Sequence, residues 1–278
     1  MATVAFLHAH PDDEALATGG TMARLVDEGH RVVLIAATRG EEGEPVPGVL
    51  DDDEALGERR TAELHAAAGI LGVHRLAVLG YRDSGMADDP ANYHPDCFWQ
   101  ADVAAAAERL GGLLDGEDPD LLVVYDPSGG YGHPDHIQVH RVGVRWASAT
   151  AGVPVRWVTM NRDAIRAAID RAVDELASGE ATWADEEMLE LRRQRTEVDT
   201  FGMADAEITH AVDVTAVISR KRDAIRAHAS QVAADSFFLS MPDETFAANF
   251  GTEWFVDPGC PRNGRTQSDD LFTGITAQ

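Results

Sequence analysis

Short apolar runs alternate with amphipathic stretches along the first 160 residues. Thr3–Leu7 is an apolar run that ends in a turn, and "RVVLIAAT" (31–38), "RLAVLGY" (75–81), "DLLVVYDP" (120–127) and "VPVRWVTM" (153–160) repeat that texture. Between them lie helix-like segments: one opened by Gly19-Gly20 and closed near Glu28 with Gly29 as C-cap, others over about 53–68 and 101–114, and one starting near His136. Continuous apolar strands separated by helices are the signature of a parallel sheet covered on both faces. The pattern predicts an α/β fold, a Rossmann-like, mostly parallel sheet with helices on both faces.

Beyond residue 161 the alternation changes. "RDAIRAAIDRAVDEL" is amphipathic and helical, "EITHAVDV" (207–214) alternates like an edge strand, 215–229 reads as helix, and "GTEWFV" reads as a last short strand. The expected organisation is a catalytic core over 1–160 and a smaller C-terminal α+β region over 161–278 that completes the substrate pocket, the two forming one compact unit. Two Gly/Pro/Asp-rich loops, 40–54 and 83–96, are long enough to carry function.

Charge narrows the choice of partners. Asp and Glu number 48 against 23 Lys and Arg, a formal net charge of −25. Such a chain repels phosphate backbones and anionic membrane surfaces, so nucleic acid and membrane are not expected partners. Two cysteines, Cys97 and Cys260, allow neither a disulfide framework nor a Cys-rich zinc site. No signal peptide is evident, and no apolar stretch approaches the roughly 20 residues of a membrane span. A cytoplasmic location is the default; oligomeric state stays open, a homo-oligomer included.

The candidate chemistry lies where strands end. In open parallel sheets ligands bind at the carboxyl ends of the strands, and two histidine clusters fall there: "HAHPDDE" (8–14) and "SGGYGHPDH" (128–136). They are more than a hundred residues apart but meet if their strands are neighbours. A hydrolytic zinc site needs about three protein ligands, an open position for water, a carboxylate base and an oxyanion partner. His10 and Asp13 with His136 would supply the ligands, Asp12 the base, and His133 the electrostatic partner, with Asp135 hydrogen-bonding His133 and keeping it protonated. Capping of the following helix is the competing role for Asp12 or Asp13. A third His-Pro-Asp, at 94–96, follows no strand and has no acid pair, and is read as structural. His8 shares the strand parity of His10 and is a supporting position, whereas His30, His65, His74, His140, His210 and His228 are read as surface or core fillers, and Trp254 as a wall of the site.

"AHPDDE" (9–14) together with "GGYGHPDH" (129–136) resembles the PIG-L or LmbE-like family of metal-dependent N-deacetylases. Further stretches, "GEEGE" (40–44), "RDSGM" (82–86), "YDPSGGYGHPDH" (125–136) and "AHASQV" (227–232), are similar to its mycothiol-biosynthetic branch, which removes acetyl from the N-acetylglucosamine–inositol precursor. The resemblance implies Zn2+ (or Fe2+) on His10, Asp13 and His136, Asp12 as general base, His133 at the oxyanion or leaving amine, Asp135 tuning it, and Tyr131 moving over the site. It also implies that Glu44, Arg60, Asp83 and Gln231 hold substrate hydroxyls, the substrate being a small-molecule amino-sugar conjugate. The C-terminal "FFLSMPDETFAANFGTEWFV" is more like family members of unassigned substrate.

Two alternatives stay within this chemistry, a mycothiol S-conjugate amidase and a natural-product amino-sugar deacetylase. Two leave it. A dinucleotide-binding oxidoreductase would need a Gly-x-Gly-x-x-Gly loop in the first βα turn, where His-Pro-Asp-Asp-Glu stands instead. A non-enzymatic acidic binding module would purify without metal.

Overall fold

The computed structural model describes residues 1–150, 152–178 and 200–275. Seven strands form one sheet: β1 (Thr3–His8), β2 (Arg31–Ala36), β3 (Arg75–Val78), β4 (Leu121–Tyr125), β5 (Val155–Thr159), β6 (His210–Asp213) and β7 (Thr252–Val256). Their order across the sheet is β3-β2-β1-β4-β5-β7-β6. The first five run parallel, and β7 and then β6 add antiparallel at one edge. The sheet is thus the mostly parallel one that the apolar runs imply, and the C-terminal strands extend it.

β1 and β4 are its centre. Every residue of β4 and all but the first of β1 are buried, as continuous apolar runs require. Chain order takes the sheet outward from β1 to β3 and then back to β4 on the other side of β1. That reversal makes the gap beyond the ends of β1 and β4 a topological switch point, and it distributes the crossover helices over both faces. α1 (Asp13–Ala17), α2 (Gly19–Asp27) and α3 (Leu56–Leu71) form one helical group; α4 (Val103–Leu114), the single turn α5 (Gly129–Gly132) and α6 (Pro134–Ala149) form the other. α7 (Arg162–Ser178) follows β5. Of the later helices α8 (Ile218–Ala227), α9 (Phe237–Ser240) and α10 (Asp243–Phe250), α8 packs on α1, α2 and α3. None of the described helices is long and apolar enough to cross a membrane.

Gly20 shows why α2 opens on glycines. A Cβ there would lie 2.5 Å from the Val214 side chain, so only glycine lets α2 approach the end of β6. The same N-terminus is tied to the C-terminal edge by Glu253 on β7, which accepts the Gly20 and Thr21 amides at 2.8 and 2.7 Å and pairs with the buried Lys221 ammonium at 2.7 Å. A carboxylate at a helix N-terminus satisfies its free N–H groups and its dipole together.

Candidate metal centre

Both histidine clusters sit immediately beyond the paired strands β1 and β4, so the sheet brings them together. Each is built by the geometry of a helix start. In the second cluster His133 is the N-cap of α6, its Nδ1 accepting the Asp135 amide at 3.1 Å, and Pro134 occupies the first helical position, where its missing N–H costs nothing. In the first, Asp12 occupies the cap position of α1 but its side chain makes no capping bond. It turns instead to Arg60, whose NH2 group lies 3.2 Å from Asp12 Oδ2. The capping role is therefore not what orients Asp12.

Asp13 lies between two imidazoles. Its Oδ2 is 3.3 Å from His10 Nδ1 and its Oδ1 is 3.4 Å from His136 Nε2. The other nitrogen of each ring is engaged behind it: His10 Nε2 lies 3.2 Å from Asp135 Oδ2, and His136 Nδ1 lies 3.1 Å from the Gly129 carbonyl. Imidazoles whose rear N–H groups are fixed in this way present their front lone pairs to a cation, the arrangement typical of ligating histidines. Two nitrogens and a carboxylate, nearly buried and convergent, fit a divalent cation such as zinc, and the same donor set suits Fe(II). His10, His133 and His136 also offer nitrogens within 4.8 Å of one another, and His10, Asp83 and Asp135 bring ligand-type atoms equally close.

Electrostatics follow from this crowding. Burial alone would lower the His10 pKa, but Asp13, Asp135 and Asp83 hold it well above its ordinary value. Burial pushes the Asp13 carboxyl up, yet His136 and His10 bring it well below the usual range. The Asp12 carboxyl is raised to about 6 by burial, with the Arg60 guanidinium opposing.

Asp135 corrects an expectation. Its carboxylate does not bond the His133 ring; it accepts from His10 at one oxygen, together with the Ser84 amide at 3.0 Å, and from the Ser84 hydroxyl at the other. Asp135 therefore orients the His10 ring. Burial, then the charges of His10 and His136, push the His133 imidazole down to about 3. Its cap role acts in the same sense, since Nδ1 is committed as an acceptor to a backbone N–H. That leaves the proton of the neutral ring on Nε2.

Tyr131 is partly exposed, with Oη 3.5 Å from His136 Nε2, on a turn in which Gly129, Gly130 and Gly132 all take positive φ. Burial, then the Asp13 charge, hold its phenol above the usual value. His8 supports the cluster through Tyr125: its Nδ1 meets Tyr125 Oη at 2.9 Å, and the Tyr125 ring stacks on His136 at 4.2 Å between centroids. His140 bonds the Tyr125 carbonyl instead and stays outside the cluster, and His94 of the third His-Pro-Asp accepts from the Asp96 amide within its own turn.

The four candidate substrate contacts divide. Arg60 is 4% exposed and donates to the Gly40 and Pro11 carbonyls at 2.8 and 2.6 Å, besides Asp12. Asp83 is similarly buried, accepting the Gly85 and Glu42 amides and lying 3.4 Å from His10 Nε2. Both thus engage the protein. Glu44 is exposed on its loop, and Gln231 is half-buried, with its Nε2 on the Ser230 carbonyl. Two further residues, Glu14 and His228, form a fully buried pair at 2.6 Å behind Asp12, although His228 reads from sequence as a filler. Their signal was membership of the quoted stretches "AHPDDE" and "AHASQV".

From Asp12, Asp13, Tyr131 and His136 a cavity of about 500 Å³ opens toward the C-terminal region. Its far walls are Leu16, Ile165, Phe238, Phe250 and Trp254.

The family described as PIG-L, GlcNAc-PI de-N-acetylase, matches residues 5–147, which span both clusters. This chain belongs to that family. A 1D-myo-inositol 2-acetamido-2-deoxy-alpha-D-glucopyranoside deacetylase of Acidothermus cellulolyticus is 40% identical over 97% of this chain and 94% of its own. The protein of the same description from Thermobifida fusca is 42% identical over 82% of each chain. Among solved structures, a deacetylase of the teicoplanin biosynthesis pathway aligns with a TM-score of 0.59 at 20% identity, covering 91% of this chain and 97% of that one. A conserved protein of Thermus thermophilus aligns with a TM-score of 0.54 at 21% identity, covering 94% and 96%. At these identities the structural likeness speaks to the fold.

Proposed function

We propose that this PIG-L family member is a zinc-dependent hydrolase that removes the N-acetyl group from an N-acetylglucosamine conjugate, the glucosaminyl-inositol precursor of mycothiol. The observation that carries the chemistry is Asp13 set between His10 Nδ1 and His136 Nε2, with Asp12 beside it. Near-full-length identity to relatives described as deacetylases of that inositol conjugate supports the substrate.

A divalent cation held by His10, Asp13 and His136 would supply Lewis acidity, lowering the pKa of a water and polarising the acyl oxygen. The chain's residues do the rest. Asp12 accepts the proton of the attacking water, its affinity for that proton raised by burial. His133 Nε2–H donates to the oxygen of the scissile carbonyl as negative charge develops there. Tyr131, on its glycine-flanked turn, closes over the same oxygen. Asp135 and the Gly129 carbonyl hold the two ligating rings. Glu44 and Gln231, on the rim, bind sugar hydroxyls, and the segment from residue 161 completes the pocket through Ile165, Phe238, Phe250 and Trp254.

The cavity favours a second reading within the same chemistry. Its apolar walls exceed what an acetyl methyl fills, so an amidase acting on a conjugate with a larger apolar group fits it. Zinc-loaded protein assayed for amine release on N-acetylglucosaminyl-inositol, free N-acetylglucosamine and mycothiol S-conjugates separates the readings. The inositol conjugate is expected to have the highest kcat/KM. Equal turnover of free N-acetylglucosamine would remove the mycothiol assignment, and preference for S-conjugates would establish the amidase.

A further inference from the structure

Asp12 is held in an unusual backbone conformation. Its φ is 105°, in the positive region that residues bearing a Cβ rarely occupy. Such a conformation persists only where the surroundings over-determine it. Three groups do so here. The Asp12 carbonyl accepts the Ala15 and Leu16 amides as α1 begins, both at 3.1 Å. Its carboxylate meets Arg60. Its amide donates to Glu14 Oε2 at 2.9 Å.

Glu14 is itself fixed. Its other oxygen, Oε1, lies 2.6 Å from His228 Nε2, and neither side chain of the pair is exposed at all. His228 ends α8, and two residues on, Ser230 gives its amide and hydroxyl to Glu63 at 2.9 and 2.6 Å. Glu63 stands one turn after Arg60 on α3. The bonds therefore close a ring: Arg60 to Asp12, Asp12 to Glu14, Glu14 to His228, the turn at 228–230 to Glu63, and back along α3 to Arg60.

We propose that the buried Glu14–His228 pair is a positioning brace for the general base: it holds residue 12 in its positive-φ conformation and so aims the Asp12 carboxylate at the metal centre. Replacing a buried ion pair by apolar side chains of similar volume is often neutral or stabilising, so stability is weak ground for such a pair. His228 Nδ1 is buried with no hydrogen-bond partner among the described residues, so the ring's one polar contact there is Glu14. Burial lowers the pKa of His228, but the Glu14 carboxylate outweighs this and the imidazole stands above its ordinary value, which strengthens the contact. Without Glu14 the Asp12 N–H loses its acceptor, the backbone relaxes, and the carboxylate swings from its place.

The inference rests on Asp12 being the base, so D12A is measured beside the brace variants. The zinc-loaded full chain is assayed on N-acetylglucosamine for kcat and KM, with zinc per chain and Tm recorded for each variant. E14A is expected to lower kcat by about 10- to 100-fold, the range for groups that orient reacting residues, with KM within about twofold and zinc content unchanged. E14Q retains an amide oxygen for the Asp12 N–H and an NH2 for the neutral His228 ring, and is expected to recover most of the rate. H228A leaves Glu14 present but unbraced and is expected to show the same kcat-selective loss; it carries the test alone if E14A does not fold. A fully zinc-loaded E14A or H228A with kcat within about twofold of the unsubstituted enzyme overturns the brace, as does E14Q no better than E14A. D12A at full rate would instead overturn the base assignment itself.

Discussion

Asp135→Asn isolates the charge behind His10, the first of the proposed metal ligands. The Asp135 carboxylate is fully buried, and one oxygen lies 3.2 Å from His10 Nε2 and 3.0 Å from the Ser84 amide. Asparagine has the same shape, so its oxygen keeps both contacts, while the Ser84 hydroxyl, which donates to the other carboxylate oxygen, must turn to accept from the NH2. At the His10 ring what changes is the charge. Hydrogen bonds to charged groups contribute about 1.5–3 kcal/mol and neutral ones about 1, so the His10 ring loses about 0.5–2 kcal/mol of support. That converts to a zinc Kd weaker by roughly 2- to 30-fold, at about 1.4 kcal/mol per tenfold. Asp83, 3.4 Å from the same nitrogen, keeps the loss toward the lower end. Competition against a chelator of known affinity measures the Kd directly, and D83N/D135N together should exceed either alone. A D135N protein binding zinc as tightly as the unsubstituted chain would refute the argument that a rear carboxylate tunes His10.

Gly20→Ala forces a Cβ to 2.5 Å from Val214 and should cost about 1–3 kcal/mol in urea unfolding; an unchanged midpoint would show that α2 can shift freely. Lys221→Met strips the countercharge from buried Glu253 and should cost about 3–5 kcal/mol, read as a lower Tm, whereas a stable variant would mean that the Gly20 and Thr21 amides suffice. Burial lowers the His8 imidazole from 6.5 to about 4, so the unfolded chain takes up a proton that the folded one resists. This contribution is complete above pH 6.5 and is lost as pH falls toward 4, by at most about 1.4 kcal/mol per unit. His8→Gln should flatten the acid side of the stability profile by that amount, and identical slopes would contradict it.

The sheet was legible because its strands are buried on both faces and so read as unbroken apolar runs; "LLVVY" could hardly be anything else. The helix from residue 53 was harder: it starts at Leu56 and runs to Leu71, because no side chain caps it and Gly72 ends it in the left-handed conformation. The ligand-type residues were legible because their spacing places them at strand ends, and the register of β1 beside β4 makes the clusters meet. The roles of supporting residues were not legible. Whether Asp135 turns to His133, two residues away, or to His10, far along the chain, depends on how the loop carrying Ser84 packs, which local spacing does not record. His228 was misjudged for the same reason. The partner of its ring, Glu14, is 214 residues away, and neither helix periodicity nor hydropathy marks such a contact.

The central claim is that one divalent cation is held by His10, Asp13 and His136. A crystal structure of zinc-loaded protein, with anomalous data at the zinc edge, tests it most directly. One peak is expected, bonded to His10 Nδ1, an Asp13 oxygen and His136 Nε2 at about 2.0–2.2 Å, with Asp12 unligated beside it. A peak at the rival cluster of His10, Asp83 and Asp135, or full zinc loading after Asp13→Ala and His136→Ala together, would contradict it.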